Sequence, residues 1–248
     1  MRYFIRFSYC GTNYHGWQRQ PNGLSVQQVM EEAMSLIVGE PIALTAAGRT
    51  DSGVHADLMV AHFDTTKPFE DLSSLTSRLN NYLPKDIALQ TIMPVTADAH
   101  ARFDALSRTY QYRCVFQKDP FHEHLATRIT NDLDFDLMNQ AALILLHTQD
   151  FASFCKLHTD VKTTICHVTE AHWDVNSGGA VFTITADRFL RNMVRAIVGT
   201  LFLVGKHKLT IPQFEEVISK QHRTAAGQSV PADGLYLTNI TYPENIYL

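Results

Sequence analysis

The stretch T-A-A-G-R-T-D-S-G-V-H-A, residues 45–56, surrounds Asp51 with an arginine, two hydroxyls and two glycines. Gly48 and Gly53 permit backbone angles that other residues resist, so the spacing predicts a tight polar turn carrying the carboxylate. Such a turn is either simple punctuation or a mount for a catalytic group, since a positioned carboxylate can act as nucleophile or base. Two more sets could join it. Tyr110 and Tyr112, in R-T-Y-Q-Y-R, lie two apart on a strand pattern and so share a face, as sheet packing or as a platform for a base. Arg188, Arg191 and Arg195 lie at i, i+3 and i+7 in a segment read as helix over 189–205, which puts them on one face. Arg195 stands among Met193, Val194, Ala196, Ile197 and Val198, where an arginine either pairs with an acid or snorkels to water.

Composition narrows the classes. A chain of 248 residues, 45% hydrophobic and 19% charged, is globular in character and long enough for one large domain or two small ones. No apolar run reaches the length of a membrane span, and M-R-Y-F-I-R-F-S-Y-C-G alternates without a signal-peptide core, so a cytoplasmic location is expected. Cys10, Cys114, Cys155 and Cys166 fall in no metal or redox spacing and read as free, mostly buried thiols. His122 and His124 are two apart rather than the four of a helical zinc pair, so no metal is expected. The net charge is -4, yet residues 1–30 and 188–214 contain no acid while carrying several arginines and lysines. One-sign stretches of this kind can build a basic surface on an acidic protein, or be ordinary solvated faces.

The elements that must position these groups come in a repeated order. R-Y-F-I-R-F-S-Y-C-G alternates as a strand. L-S-V-Q-Q-V-M-E-E-A-M-S-L-I-V-G-E has helical spacing, a capping box from Ser25 and Gln28, and Gly39 as its stop. Strands I-A-L-T-A-A-G and L-M-V-A-H-F-D-T flank the Asp51 turn, followed by helix S-S-L-T-S-R-L-N-N-Y-L and strand I-A-L-Q-T-I-M-P-V. The second half repeats the plan: a strand at 107–117, a helix at 135–147, a hairpin turning at Asn176-Ser177-Gly178-Gly179, the long helix at 189–205, an extra helix opened by Pro212, and a last strand G-L-Y-L-T-N-I-T-Y. The expected class is α+β, two pseudo-repeated split β-α-β (ferredoxin-like) subdomains with antiparallel sheets around a central cleft.

G-R-T-D-S-G-V-H-A, A-R-F-D-A-L-S-R-T-Y-Q-Y-R, F-L-R-N-M-V-R-A-I-V-G-T-L-F-L-V-G and P-A-D-G-L-Y-L, preceded by G-T-N-Y-H-G-W-Q-R-Q-P, resemble in order the motifs of the TruA family of tRNA pseudouridine synthases, from about residue 3 to 243. The resemblance implies an isomerase that converts uridine to pseudouridine at positions 38, 39 and 40 of the tRNA anticodon arm. It also implies a pseudouridine synthase fold with an RNA-binding cleft, a homodimer, and no metal or cofactor. It assigns residues 1–104 to a subdomain with the aspartate loop and 105–248 to one with the tyrosine strand and arginine helix.

Position by position, the resemblance makes Asp51 the nucleophile and Arg49 the group that helps displace the target uridine and fill its place. Tyr110 becomes the tyrosine stacked on the base, Arg195 the partner of the nucleophile, and Leu237 an apolar wall of the uridine pocket. Arg188 and Arg191 are expected to bind RNA. The family's aspartate before the first glycine of Y-D-G-T is Cys10 here, and its Gly-Gln before V-A-H-F is Leu58-Met59. The chemistry suits this set. The bond from ribose to a ring nitrogen must break and one to a ring carbon form, while the uracil turns without escaping. An arginine keeps a carboxylate ionised, an aromatic ring restrains the base and its hydroxyl can assist proton removal, and flipping exposes the nucleotide.

Two rival readings fit the residues less well. Asp-Ser-Gly also occurs in aspartic proteases, but that chemistry needs two carboxylates sharing a proton, the motif occurs once, and Arg49-Thr50 stand where apolar strand residues belong. A catalytically silent RNA-binding protein on the same fold would tolerate loss of Asp51, Tyr110 or Arg195, and all three are present.

Overall fold

Strand pairing in the first half follows from a run of residues apolar on both faces. The computed structural model describes residues 1–130, 132–156 and 162–248, which form two compact units, Met1–Ser107 with Leu237–Leu248, and Arg108–Tyr236. In the first unit β1 (Arg2–Tyr9) buries Phe4, Ile5 and Phe7 completely and lies between two antiparallel neighbours, β3 (His55–Asp64) and β4 (Ile87–Pro94). Ile5 faces Ala61 on one side and Ile92 on the other. A short β2 (Thr45–Ala46) extends the order to β4-β1-β3-β2, the split β-α-β arrangement expected from the element order. Helices α1 (Val26–Val38) and α2 (Leu72–Tyr82) pack on each other, burying Met30, Met34, Leu75 and Leu79.

The structure departs from the sequence expectation at two places, the cap of α1 and the strand over 42–48. Ser25 caps α1 by accepting from the Gln28 N–H at 3.2 Å, but the Gln28 side chain donates onward to Glu32 at 3.0 Å instead of returning to Ser25, so the capping box is only half made. A full box does occur at Thr210 and Gln213. The strand expected over 42–48 shrinks to two residues because α1 competes for it. Glu31 accepts from the Leu44 N–H at 2.9 Å and Gln27 donates to the Leu44 carbonyl at 3.0 Å, so side chains take the bonds a ladder would use.

In the second unit β5 (Ser107–Val115, of which Arg108 onward belongs here), β8 (Gly179–Ala186) and β7 (Val168–Val175) pair antiparallel in that order, Tyr112 facing Phe182 and Phe182 facing Trp173. A two-residue β6 (Thr127–Arg128), absent from the sequence expectation, runs parallel to the end of β5. The hairpin turns where expected, the Asn176 side chain accepting from the N–H groups of Gly178 and Gly179 at 2.8 and 3.0 Å. Helices α3 (Phe135–Ile144), α4 (Met193–Gly205) and α5 (Ile211–Ser219) cover this unit, and Trp173 lies against Phe182, Phe135 and Phe202 with centroids 5.2 to 5.7 Å apart. The last strand, β9 (Leu235–Thr241), starts in the second unit, where the Arg113 N–H donates to Gly234 at 2.7 Å, and ends in the first, where the Leu106 N–H donates to Thr241 at 2.9 Å.

The outer strands are covered by asparagines. Asn80 on α2 accepts from the Leu89 N–H at 2.7 Å and donates to its carbonyl at 2.9 Å. Asn139 on α3 does the same to Trp173 at 2.7 and 3.1 Å. A primary amide has the donor and acceptor spacing of a peptide, so each stands in for the next strand.

Candidate active site

Asp51 is held by a loop forty residues away in sequence. The turn 51–54 closes with the Val54 N–H on the Asp51 carbonyl at 3.2 Å, and Gly53 sits in the left-handed region at φ 79°, as its glycine predicts. Gly48 is not in that region, so the sequence expectation holds for one glycine of the two. The segment Gly11–Trp17 grips this turn. The Gly53 N–H and Ser52 Oγ donate to the Tyr14 carbonyl at 3.3 and 3.2 Å, and the Trp17 N–H donates to Thr50 at 3.3 Å. Tyr9 Oη and Thr50 Oγ1 share a bond of 2.9 Å, and the Gly11 N–H donates to Nδ1 of the buried His55 at 3.0 Å.

Close approach explains the glycines of that gripping loop. A Cβ on Gly11 would overlap the Val54 carbonyl, whose carbon would lie 2.6 Å away, and one on Gly16 would meet the Thr50 carbonyl and the Asp51 carbon at 3.1 Å. Tyr14 is itself fixed by donating from Oη to Asp86 at 2.6 Å, and burial with that carboxylate raises its pKa. Asp51 emerges half-buried on a turn braced on several sides, with Arg49 exposed beside it. The G-T-N-Y-H-G-W segment, read from sequence as a loop that could touch RNA, is thus a buttress for Asp51, and Tyr14, His55, Gly11 and Gly16 are the supporting residues that sequence reasoning missed. Two glycines five apart around buried aromatics were the available signal.

The second unit carries Tyr110, Arg188, Arg191 and Arg195. Tyr110 and Tyr112 share a face of β5 but have different surroundings. Tyr112 is fully buried, bonded through Oη to Thr127 at 2.6 Å and to the Pro231 carbonyl at 3.0 Å, and desolvation raises its pKa. Tyr110 retains slight exposure and meets Phe189 edge-on, centroids 5.0 Å apart. The half-buried Arg195 donates from Nε to the Val230 carbonyl at 2.7 Å, and its own carbonyl accepts from the Val230 N–H at 3.1 Å. It is therefore anchored to the 223–231 loop rather than snorkelling freely. Arg223 draws that loop in, donating to Gly227 at 3.0 Å and Ser229 at 2.8 Å, and Gly199 and Gly227 allow it to lie against α4.

The shared helical face of Arg188, Arg191 and Arg195 is corrected. Asn192 adopts a left-handed conformation at φ 66°, and α4 starts only at Met193. Arg188 and Arg191 lie in the preceding turn, where the Asp187 carboxylate accepts from the Arg188 N–H at 2.7 Å. The N-terminal basic stretch is also less basic than its sequence. Arg2 pairs with Asp64 at 2.8 Å, and Arg19 lies 3.7 Å from both Glu31 and Glu32, acids brought in from outside residues 1–30.

Leu237 is buried in the part of β9 that belongs to the first unit. Cys114, Cys155 and Cys166 are buried free thiols and Cys10 is half-buried; burial pushes the Cys166 thiol up to about 12. His122 lies 2.6 Å from Asp119, and among the described residues no His, Cys, Asp and Glu side chains cluster to hold a metal ion. No helix among the described residues is long and apolar enough to cross a membrane.

Comparison with known proteins agrees over the whole chain. The family model described as tRNA pseudouridine synthase matches residues 6–104 and 141–243. The tRNA pseudouridine synthase A of Porphyromonas gingivalis is 55% identical over 251 residues, covering 100% of this chain and 99% of the relative. That of Parabacteroides distasonis is 53% identical over 246 residues, covering 99% and 98%, and that of Bacteroides fragilis 51% over 247 residues, covering 99% and 98%. With an aspartate turn, two split β-α-β units and a match from end to end, the chain belongs to the tRNA pseudouridine synthase family.

Proposed function

We propose that the protein is an isomerase converting uridine to pseudouridine in the anticodon stem-loop of tRNA, at positions 38, 39 and 40. Residues 1–104 supply the aspartate loop and 105–248 the tyrosine strand and arginine helix. The observation that carries the reading is the braced turn of Asp51. Five hydrogen bonds tie residues 9–17 to residues 50–55 around Asp51, and a carboxylate mounted on so fixed a turn is preorganised, as a nucleophile or base must be. In this reading Arg195 pairs with Asp51 and favours its ionised form. Tyr110 stacks on the uracil and its hydroxyl assists removal of the ring-carbon proton. Arg49 occupies the space of the flipped nucleotide, Leu237 lines the base pocket, and Arg188 and Arg191 contact phosphates.

The protein acts in the cytoplasm without metal or cofactor and as a homodimer, one subunit supporting the tRNA body while the arm enters the other's site. Mapping pseudouridine in tRNA from a strain lacking this protein tests the reading. Loss at positions 38 to 40 is expected, and unchanged modification there removes it.

A further inference from the structure

Phe103 is 75% exposed, yet the turn that presents it is rigidly built. The His100 N–H donates to the Asp104 carboxylate at 2.7 Å, and the Asp104 N–H returns to the His100 carbonyl at 3.0 Å. His100 Nδ1 accepts from the N–H groups of Arg102 and Phe103 at 3.2 and 3.3 Å. From below, the Ala101 N–H donates to His62 Nδ1 at 3.1 Å, and Tyr242 Oη donates to the Ala101 carbonyl at 2.6 Å. The rings form a column: His62 to His100 at 4.6 Å, and His100 to Phe103 at 4.3 Å with 33° between planes. The exposed Arg102 guanidinium lies 5.8 Å from the Phe103 centroid.

A solvent-facing phenylalanine contributes little to stability, and a turn this firmly bonded holds its ring in one place before anything binds. An aromatic face beside a cation matches a nucleotide, base on ring and phosphate on guanidinium. We propose that the His100–Asp104 turn is a stacking platform that takes an unpaired nucleobase of the RNA substrate on Phe103, with Arg102 on its phosphate. The inference rests on the RNA-substrate reading given above and adds a contact point on two residues, Arg102 and Phe103, that take no part in the chemistry. Because the ring is preorganised, little ordering entropy opposes the contact.

The test uses the full chain with Phe103→Ala, Phe103→Trp and Arg102→Gln, direct titration of fluorescently labelled full-length tRNA, and turnover alongside. Phe103→Ala should weaken binding about tenfold or more, the range of one base stack. Phe103→Trp should restore affinity, and Arg102→Gln should lower the salt slope by about one. Unchanged affinity in Phe103→Ala overturns the platform. So does a lowered association state in sedimentation, which would assign the ring to a second copy of the chain. Wild-type protein that binds tRNA without forming pseudouridine, while Phe103→Ala loses affinity, supports the platform and removes the enzymatic reading. Wild-type protein that binds no tRNA removes both.

Discussion

Replacing Gly11 by alanine should damage a residue forty positions away. The added methyl would overlap the carbonyl of Val54, whose carbon would be 2.6 Å from it, with the Gly53 carbon at 3.2 Å. Both belong to the backbone of the Asp51 turn, which cannot swing aside as a side chain does. Restoring ordinary carbon contact requires a shift of about 1 Å. Overpacking of this kind costs about 1–3 kcal/mol, and in a chain of this length each kcal/mol lowers Tm by about 2–4 °C. A displacement of about 1 Å at a catalytic group costs roughly a hundredfold in rate. Gly48→Ala is the control: it is only three residues from Asp51, but its Cβ would meet nothing within 4 Å and its backbone is not left-handed. Tritium release from tRNA labelled at uracil C5 reads the rate, and scanning calorimetry reads Tm. Gly11→Ala should lose about two orders of magnitude in turnover while Gly48→Ala stays within a factor of about three. Equal activities in the two variants would refute the claim that the remote loop positions Asp51.

Asp51→Asn should keep the fold and much of the tRNA affinity but lose turnover by several orders of magnitude, since an amide supplies no anionic catalyst; activity within about tenfold of wild type refutes the assignment. His62 has its pKa lowered from 6.5 to about 4 by burial, with Arg2 and His100 adding to it against Asp64 and Asp104. Between those pH values the unfolded chain takes up the proton and the native one does not. Stability should therefore be unaffected by this group above pH 6.5 and fall by up to about 3 kcal/mol as pH drops toward 4. Urea midpoints across that window should fall less steeply for His62→Gln, and identical slopes would exclude His62 as the source. Asn139→Ala leaves the Trp173 N–H and carbonyl without their side-chain partner and should cost about 1–3 kcal/mol in urea unfolding; an unchanged midpoint would show that water replaces the amide at no cost.

The order of elements was legible because apolar periodicity and stop signals agree along most of the chain: Ser25 and Gly39 bound α1, and Asn176 turns the hairpin. What escaped depends on partners distant in sequence. The strand over 42–48 has a sound local pattern, but Gln27 and Glu31 take the bonds of Leu44. The segment 189–205 is apolar enough to be helical throughout, but the left-handed Asn192 delays α4 to Met193 and removes the shared face of the three arginines. Candidate site residues are legible as types in motifs. Asp51 declares itself by its neighbours. Tyr14, His55 and Gly11 do not, because their contribution consists of single bonds and close contacts made across the fold.

The split membership of β9 bears on how the protein is made. Residues 237–248 close the first unit: the Thr96 N–H donates to Ile246 at 3.0 Å, Tyr242 Oη to Ala101, and the Leu248 N–H to Pro94 at 3.3 Å. Yet 129 residues, Arg108 to Tyr236, are translated between Ser107 and that closing segment. At about 5–20 residues per second, the first unit waits roughly 6 to 26 s on the ribosome with its last strand missing. Over that interval Phe4 lacks both Tyr242 and Tyr247, whose rings lie 5.0 and 6.3 Å from it in the finished protein. The nascent chain therefore carries the aspartate turn long before its unit is complete, and this interval is when a holding chaperone has the most apolar surface to protect.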